Sequence, residues 1–479
     1  MQNPDYVPPK KRGIKILAIA IVVIMIGAGA GVGVYLYLHP AKKVSTLVVL
    51  VDSGSDTQAY LTSVASTFEK ENPNVKITID SVGYSDLVSS SLSALEDKDS
   101  SPGLIMYYPS GEPSLAPYLM NLSSQGFNTS NFLSGELYSG SYVLHNGGIS
   151  KFVGVPIHNV LGYVLVYQKS VFDNKTLQTG FEAKYHFSIM PNTYKNWTAV
   201  YDAADYINST LASLEKNYTS LRHSLMFPDS SRHSMIDAYM GLLYAYGNNH
   251  TKATGIAKDS GAAYWTYMGN ISGKYRPTFN NTYGVQALEM YKNLTQFEPS
   301  ITTSPIGYDA QETLFESGEF AMGLAWTSFF SGYSNSSISK VAGNYNVTIL
   351  PCGSTGYAPT YMGVNPYANT SLAIKFLKFA VSDKEYEMGI DKYQYLPATI
   401  SALKIAESNK NFTWVPAMLK SASSININIT AVQEYEGLES LFGTLTPDLN
   451  QNIYNYFIDK TTASAALSSA YSEWETVIS

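Results

Sequence analysis

The feature that most constrains this chain is an apolar stretch near its start. Residues 14–38 read IKILAIAIVVIMIGAGAGVGVYLYL and carry one charge, at Lys15. A helix of about 20 apolar residues crosses a hydrocarbon core of about 30 Å, so this stretch predicts one transmembrane helix. We therefore expect a cytoplasmic or signal segment at 1–13, the membrane helix at 14–38, a linker at 39–44 and a large domain beyond it.

Basic residues flank the stretch on both sides, so the positive-inside rule favours a cytoplasmic N-terminus only slightly. Asn-x-Ser/Thr sequons settle the expected orientation, because they are more frequent than random placement would give, and they favour an extracellular, N-glycosylated domain. They begin at Asn121, Asn128, Asn174, Asn196, Asn208, Asn217, Asn249, Asn270, Asn280, Asn293, Asn335, Asn346, Asn369, Asn411 and Asn428. The alternative is that a chain rich in Asn, Ser and Thr forms sequons without using them.

The KKRG sequence before the apolar stretch resembles the archaeal class III, type IV pilin-like signal peptide. That resemblance implies cleavage after Gly13. An ordinary secretory signal, cut within residues 28–33, is the alternative. In both cases the bulk of the chain lies outside the cell membrane.

At 479 residues the chain exceeds the size at which one core stops growing, so two or more lobes are expected. Before residue 44 lie six of the 31 Lys and Arg residues but one of the 38 Asp and Glu residues, so the remainder is acidic. Nucleic acid is therefore not an expected partner. The single cysteine, Cys352, excludes an intramolecular disulfide and a cysteine-cluster metal site. No cofactor is predicted.

After the linker the sequence alternates between short apolar runs and helical patterns. Residues 46–51 and 103–108 read as buried strands, and Val75, Ile77 and Ile79 alternate as a third strand between them. The helix after the first strand buries Tyr60, Leu61, Val64, Ala65 and Phe68, with Asp56 or Thr57 as its cap. Repeated β-α-β units predict an α/β fold with a parallel sheet.

Ligands of such sheets collect outside the carboxyl ends of the strands. Two loops are therefore candidate binding loops, at residues 52–56 and 109–112. They make Asp52, Ser53 and Glu112 candidate ligand-binding residues, together with the strand-end tyrosines Tyr107 and Tyr108. One of the two tyrosines is expected to point into the sheet, and helix capping would explain part of the first loop.

Further segments resemble the extracellular solute-binding proteins of family 1, the maltose-binding-protein type that serves ATP-driven importers. These segments match the family in its order: 152–172 (FVGVPIHNVLGYVLVYQKSVF), 190–207 (MPNTYKNWTAVYDAADYI), 283–294 (YGVQALEMYKNL), 311–330 (QETLFESGEFAMGLAWTSFF), 347–369 (VTILPCGSTGYAPTYMGVNPYAN), 371–388 (SLAIKFLKFAVSDKEYEM) and 395–398 (YLPA). Each motif alone is loose, whereas their common order over nearly all of 45–479 is specific.

The resemblance implies a two-lobed periplasmic-binding-protein-like fold of type II, with the ligand between the lobes. Lobe one is expected at 45–160 plus 364–397, and lobe two at 161–363 plus 398–479. The crossovers are expected near 159–163, 362–365 and 396–400. The implied partners are a small solute, in the first place a mono- or oligosaccharide, and an importer's permease with its ATPase.

The resemblance also implies site residues. Trp326 lies where family members place an aromatic that stacks on a sugar, although it could instead be a core residue. His158 and Asn159 lie at the first crossover, where hinge hydrogen bonding explains them equally well. Tyr361 and Gly363 precede the second crossover. Asp229, with Arg232 and His233 nearby, belongs to a loop of lobe two that could equally be a solvated turn.

Three other functions stay open. The same fold binds peptides and other polar solutes. A glycosidase could use two carboxylates that are distant in sequence, although no metalloprotease, serine-hydrolase or phosphate-loop motif is present. A structural or adhesive surface protein would fit the sequons and the pilin-like start, but the expected sequence repeats are missing.

Overall fold

The structure is a computed structural model that describes residues 44–108, 111–133, 136–137, 141–143, 149–159, 163–230, 234–248, 268–271, 274–351, 359–412, 415–416 and 438–478. The expected segment 1–13, the membrane helix 14–38 and all but the end of the linker lie outside these residues. Among the helices that the structure describes, none has both the length and the apolar character needed to cross a membrane.

The strands, in chain order, are β1 (Ser45–Asp52), β2 (Val75–Val82), β3 (Leu104–Tyr107), β4 (Ser141–Val143), β5 (Ile149–Phe152), β6 (Gly154–His158), β7 (Tyr163–Gln168), β8 (His223–Met226), β9 (Met268–Ile271), β10 (Lys274–Pro277), β11 (Phe320–Trp326), β12 (Tyr345–Thr348) and β13 (Thr360–Val364). β4 pairs with β5 and β9 with β10 in two small antiparallel hairpins. The other nine form two larger sheets.

The helices, in chain order, are α1 (Asp56–Glu71), α2 (Tyr84–Glu96), α3 (Glu112–Leu115), α4 (Lys169–Phe172), α5 (Lys175–Tyr185), α6 (Trp197–Leu214), α7 (Ser234–Asn248), α8 (Thr282–Leu294), α9 (Tyr308–Glu316), α10 (Phe330–Ser334), α11 (Thr370–Ala380), α12 (Asp383–Tyr393), α13 (Ile400–Glu407), α14 (Leu438–Phe457) and α15 (Ala463–Ile478).

The first sheet has five strands in the order β2-β1-β3-β13-β6. β1 is parallel to both β2 and β3, with α1 and α2 as the crossovers, as the predicted β-α-β units require. β13 lies between β3 and β6 and is antiparallel to both. All of its five residues are buried in this sheet, so the lobe boundary expected at residue 364 is wrong: it falls inside the strand.

The N-cap of helix α1 is Ser55, which precedes both expected caps, Asp56 and Thr57. Gly54 has a φ of +78°, and Ser55 is the N-cap, because its hydroxyl accepts a hydrogen bond from the Gln58 backbone N–H at 3.2 Å. Asp56 and Thr57 instead lie in the first turn and are buried. The apolar face is as predicted: Tyr60, Leu61, Val64, Ala65 and Phe68 are all buried.

The second sheet has four strands in the order β12-β7-β11-β8. β7 is antiparallel to its neighbours β12 and β11, while β8 is parallel to β11. Every residue of β7 and β11 is buried, as expected for central strands covered by helices on both faces. The carboxyl ends of β8 and β11 and the amino end of β7 therefore lie along the same edge.

The chain passes between the two sheets three times. It leaves the first sheet after His158 and enters the second at Tyr163, and it returns between β12 and β13. That return precedes residue 360, whereas it was expected near 362–365. In the third passage, Leu396 packs in the core of the second sheet and Ala398 in the core of the first. Each sheet has its own large apolar core, so the chain forms two lobes.

Candidate functional site

The cleft between the lobes is built from strand ends of both sheets. β1, β2 and β3 end at one edge of the first sheet, because they are parallel. The edge of the second sheet that carries the end of β11 faces it: Tyr84 of lobe one and Tyr308 of lobe two have ring centroids 6.0 Å apart at an interplanar angle of 70°. Side chains from both lobes therefore meet here.

Lobe one contributes a tyrosine–carboxylate pair. Asp52 is the last residue of β1, and its Oδ2 accepts a hydrogen bond from the Tyr108 hydroxyl at 3.1 Å. Tyr84, which begins α2 just after β2, lies beside Tyr108 with ring centroids 5.5 Å apart. Burial raises the pKa of Tyr108 well above its usual value, and the carboxylate of Asp52 raises it further. The Tyr108 phenol is therefore a neutral hydrogen-bond donor.

A buried Asp–His pair lies behind this surface. Asp56 Oδ2 is 3.2 Å from His158 Nε2, and both side chains are at most 3% exposed. Burial lowers the pKa of His158 to about 3. Burial also raises the pKa of Asp56 well above its usual range; the Thr57 backbone N–H lowers it, and the carboxylate of Glu312 in lobe two raises it. The pair is therefore neutral as a whole, and its hydrogen bond holds one proton.

The first crossover starts directly after this pair. The Asn159 backbone N–H donates to the carbonyl of Leu396 at 3.0 Å, which ties the first passage to the third. The Asn159 side chain is fully buried, and neither its Oδ1 nor its Nδ2 has a partner among the described residues. The amide is therefore available to a bound molecule as well as to the hinge.

Stacked rings support the hinge from the lobe-one side. Tyr395 stacks on His158 with centroids 4.2 Å apart and on Tyr60 with centroids 4.1 Å apart. Its hydroxyl donates to the carbonyl of Ile157 at 3.0 Å. His158 therefore cannot turn away from Asp56 without breaking this packing.

Lobe two contributes an aromatic pair. Trp326 ends β11 and is paired in register with Tyr163, the first residue of β7. Their ring centroids are 4.3 Å apart at 32°. Burial raises the pKa of Tyr163, and Asp237 of lobe two and Tyr84 of lobe one also raise it. Because β11 ends and β7 begins at the cleft edge of the second sheet, the aromatic pair forms part of the lobe-two wall.

Carboxylates accompany these rings. Tyr308 begins α9, and its hydroxyl donates to Asp237 Oδ2 on α7. Glu312 lies one turn along α9 and is the lobe-two carboxylate that acts on Asp56. Lobe two thus repeats the arrangement of lobe one, with a tyrosine hydroxyl donating to an aspartate.

Asp229 follows β8 at the same edge of the second sheet, but its side chain is bonded to the backbone of its own lobe. It is fully buried, and its Oδ1 accepts a hydrogen bond from the Ile306 N–H at 2.5 Å, in the segment that leads to α9. Glu298 is buried nearby and accepts from the Phe227 N–H at 2.7 Å. Burial raises the pKa of Asp229 to about 7, and burial followed by the charge of Asp229 raises the pKa of Glu298. The solvated turn that was one expectation for Asp229 is wrong.

Two expected ligand contacts are core residues. Tyr107 and Tyr361 are fully buried and stacked on each other with centroids 5.4 Å apart. They pack with Leu95 and Leu115 on the face of the first sheet that α2 and α3 cover. The Tyr361 hydroxyl donates to the Glu136 carbonyl at 2.8 Å. The alternation of side chains in a strand explains this, because Tyr108 follows Tyr107 and faces the cleft.

Three further expectations have different outcomes. A Cβ on Gly363 would lie 2.7 Å from Leu119 Cδ1, so this glycine accommodates a core leucine rather than a ligand. Ser53 is exposed in the turn after β1. Glu112 begins α3, but its side chain, like Arg232 and His233 as whole residues, lies outside the described part of the chain.

The residues that sequence reasoning missed are Tyr84, Tyr163, Tyr308, Asp237 and Glu312. Tyr84 follows β2, so the rule that pointed to the loops after β1 and β3 could have found it. The other four lie in lobe two, where no local pattern marks them. Together the cleft offers aromatic faces, carboxylate acceptors and neutral hydroxyl donors. This combination suits a ligand with apolar C–H faces and several hydroxyl or amine groups.

Comparisons with known proteins support this description. The family model described as "Bacterial extracellular solute-binding protein" matches residues 63–416. Maltose-bound MalE3 of T. maritima has a similar structure, with a TM-score of 0.67, 15% identity and coverage of 90% of this chain and 99% of that one. The GacH receptor of Streptomyces glaucescens, solved unliganded and with acarbose, has a TM-score of 0.68 and 16% identity, with coverage of 91% of this chain and 98% of that one. A solute-binding protein of Thermotoga lettingae bound with α-D-tagatose has a TM-score of 0.68 and 15% identity, with coverage of 91% of this chain and 100% of that one. The search of curated proteins finds no match.

Proposed function

The chain belongs to the bacterial extracellular solute-binding proteins, and from this membership we propose that it is a receptor that captures a sugar between its two lobes for an importer. The observation that carries the proposal is the pairing of Trp326 with Tyr163 opposite the tyrosine–carboxylate surface of lobe one. Aromatic faces stack on the C–H faces of a sugar ring, and the carboxylates accept hydrogen bonds from its hydroxyls.

The structural neighbours support a carbohydrate or polyol as the ligand class. Besides maltose, acarbose and tagatose, neighbours were solved with ribitol and D-mannitol. Each of these molecules carries several hydroxyls and no net negative charge. Closure follows from differential contacts: a sugar that binds both lobes stabilises the closed arrangement over an open one.

The test is a thermal-shift screen of the domain from residue 44 onward against mono- and oligosaccharides and polyols, with short peptides as the comparison set. A sugar receptor shows a Tm that rises with ligand concentration for particular sugars, as mass action requires. Chromogenic glycosides should release no product. A response to peptides alone would reassign the ligand, and product release would reassign the protein as a glycosidase.

The proposed partners follow from the family. The closed receptor is expected to dock on the permease of an ATP-driven importer, with its ATPase inside the cell. The apolar stretch 14–38 would hold the receptor at the outer face of the cell membrane as a single span with its N-terminus inside. Removal of residues 1–43 should then release the protein from the membrane fraction of cells. A truncated protein that stays in that fraction would contradict the anchor.

N-glycosylation is also part of the proposal. Of the sequons whose asparagine side chain is described, all are exposed except Asn174, which is half-buried. Asn174, Asn196 and Asn369 are also helix N-caps, and their Oδ1 atoms accept backbone hydrogen bonds. A glycan is attached through Nδ2, so capping does not prevent it. Mass spectrometry of the native protein should find glycans at exposed sequons, and unmodified peptides at all of them would contradict the proposal.

A further inference from the structure

The charged groups that the structure places in the cleft have one sign. Asp52 comes from lobe one, and Asp237 and Glu312 come from lobe two, whereas Asp56 belongs to the neutral pair with His158. The charges that act on Asp56, Tyr108 and Tyr163 are those of carboxylates. His158, the one base in this part of the described chain, is held uncharged by burial. A bound molecule therefore enters a negative electrostatic environment.

Aromatic faces lie among these carboxylates. Tyr84 lies between Tyr108 of its own lobe and Tyr308 of the other, at interplanar angles of 53° and 70°. The hydroxyls of Tyr108 and Tyr308 donate to Asp52 and Asp237, which orients both phenols and increases the electron density of their rings. Ring faces beside carboxylates attract ammonium groups.

A buried acceptor points to the same ligand chemistry. Asp56 is 4% exposed, and its Oδ1 has no hydrogen-bond partner among the described residues, while Oδ2 contacts His158. The Glu312 carboxylate of the opposite lobe acts on this carboxyl group and raises its pKa. An acceptor buried between carboxylates is satisfied best by a donor that also carries positive charge.

We propose that the solute carries a protonated amine, so that the cleft selects a basic amino sugar over its neutral parent and excludes uronic acids and sugar phosphates. The inference rests on the proposed function, since it concerns the same cleft. An ammonium donates up to three hydrogen bonds and offsets the repulsion among the carboxylates. An added anion would increase that repulsion in a site of low dielectric constant.

The experiment compares matched ligands by calorimetry: D-glucose, D-glucosamine and D-glucuronate, with cellobiose and the glucosamine disaccharide for a site that needs two rings. We expect the amine to bind at least about tenfold tighter than its neutral parent, the scale of a hydrogen bond between charged groups. Glucuronate should bind most weakly, and the preference for the amine should decrease as salt is raised.

Two variants test which carboxylates cause the preference for the amine over the neutral sugar. Glu312→Gln keeps the size of the side chain and removes its charge, so the ratio of amine to parent affinity should fall several-fold. Asp52→Asn tests the opposite lobe in the same way. The matched control, Glu289→Gln, removes an equal charge at an exposed position of α8 beside Tyr456 and should leave the ratio unchanged. Equal Tm values would show that the variants fold.

The outcomes separate the two proposals. If neutral sugars bind and the amines bind no tighter, or if glucuronate binds as well as glucose, the charge preference is wrong and the sugar receptor stands. If spermidine binds but no sugar does, the charge preference stands and the sugar receptor is wrong. If neither sugars nor spermidine bind to the folded protein, both proposals are overturned.

Discussion

At the scale of single residues, two adjacent tyrosines show what the sequence can and cannot predict. A strand turns successive side chains to opposite faces, so one of Tyr107 and Tyr108 had to point away from the ligand. The structure buries Tyr107 against Tyr361 and turns Tyr108 toward Asp52. Which of the two faces the cleft depends on where α2 and α3 cover the sheet, and that is fixed by contacts outside the strand.

Trp326 tests the aromatic wall of the cleft. Trp326→Ala removes the partner of Tyr163 and should weaken sugar binding by about 1–3 kcal/mol, the scale of one well-buried side chain. Titration calorimetry with a sugar found in the screen measures it. Trp326→Phe keeps a ring and should lose less. Unchanged affinity in a folded Trp326→Ala protein would remove Trp326 from the site.

Gly363 tests a packing role against a binding role. In Gly363→Ala, the new methyl group would lie 2.7 Å from Leu119 Cδ1 and 2.9 Å from Cδ2, so Leu119 must move. We expect urea denaturation to show a loss of about 1–3 kcal/mol in unfolding free energy. Leu119→Ala should relieve the clash, so the double variant should be less destabilised than the two single losses predict. A loss of ligand affinity with unchanged stability would instead support the binding role.

At the scale of elements, local patterns predicted β1, α1, β2, α2 and β3 because each repeats an apolar run or an apolar helical face within a short window. They could not predict the neighbours of β13. That strand pairs with β3 and β6, which lie about 200 residues or more earlier in the chain. No repeat in the local sequence records such a pairing, and this is why the expected second crossover was misplaced.

The buried contact of Asp229 with the segment before α9 is expected to make the unfolding free energy depend on pH. Asp229 has a pKa of about 7 when folded, against 3.8 as its ordinary value. Above about pH 4 the folded state therefore keeps a proton that the unfolded state has lost. The unfolding free energy accordingly falls as pH rises from about 4 to about 7. Between pH 6.5 and 8 the wild type should lose about 1 kcal/mol through Asp229.

The measurement is the unfolding free energy in urea at pH 6.5 and at pH 8. Asp229→Asn keeps an acceptor for the Ile306 N–H and cannot ionise, so its pH dependence should be smaller by that amount. Asp97→Asn, at an exposed position after α2, is the control and should behave as the wild type. Equal pH dependence in all three proteins would show that Asp229 does not titrate in this range.

At the scale of the whole molecule, the order of family motifs predicted two lobes with a cleft, and the structure has both. It did not predict the cleft's chemistry, because Tyr308, Asp237 and Glu312 meet lobe one only through tertiary contacts. Of the candidate residues that came from strand ends, Asp52 and Tyr108 lie at the cleft and Tyr107 lies in the core. Tyr361 and Gly363, which came only from proximity to a crossover, lie in the core.

The contact between Tyr84 and Tyr308 should couple the two lobes. A double-variant cycle with Tyr84→Ala and Tyr308→Ala, read as sugar affinity, should give a coupling of about 0.5–1.5 kcal/mol, the scale of an aromatic pair. A control cycle of Tyr84→Ala with Tyr456→Ala, on α14, should give none. Additive losses from Tyr84 and Tyr308 would mean that the rings do not meet in the bound state.

The position of β13 also governs the order of folding. β3 and β6 each use β13 as a neighbour, so both present an unpaired edge until residue 364 has left the ribosome, after the whole second sheet has been made. Open strand edges pair with other chains. In refolding followed by pulsed hydrogen exchange, we expect amides of β3 and β6 to become protected together with those of β13, and earlier protection would contradict this. A chain that ends before residue 360 would keep both edges open and is expected to aggregate.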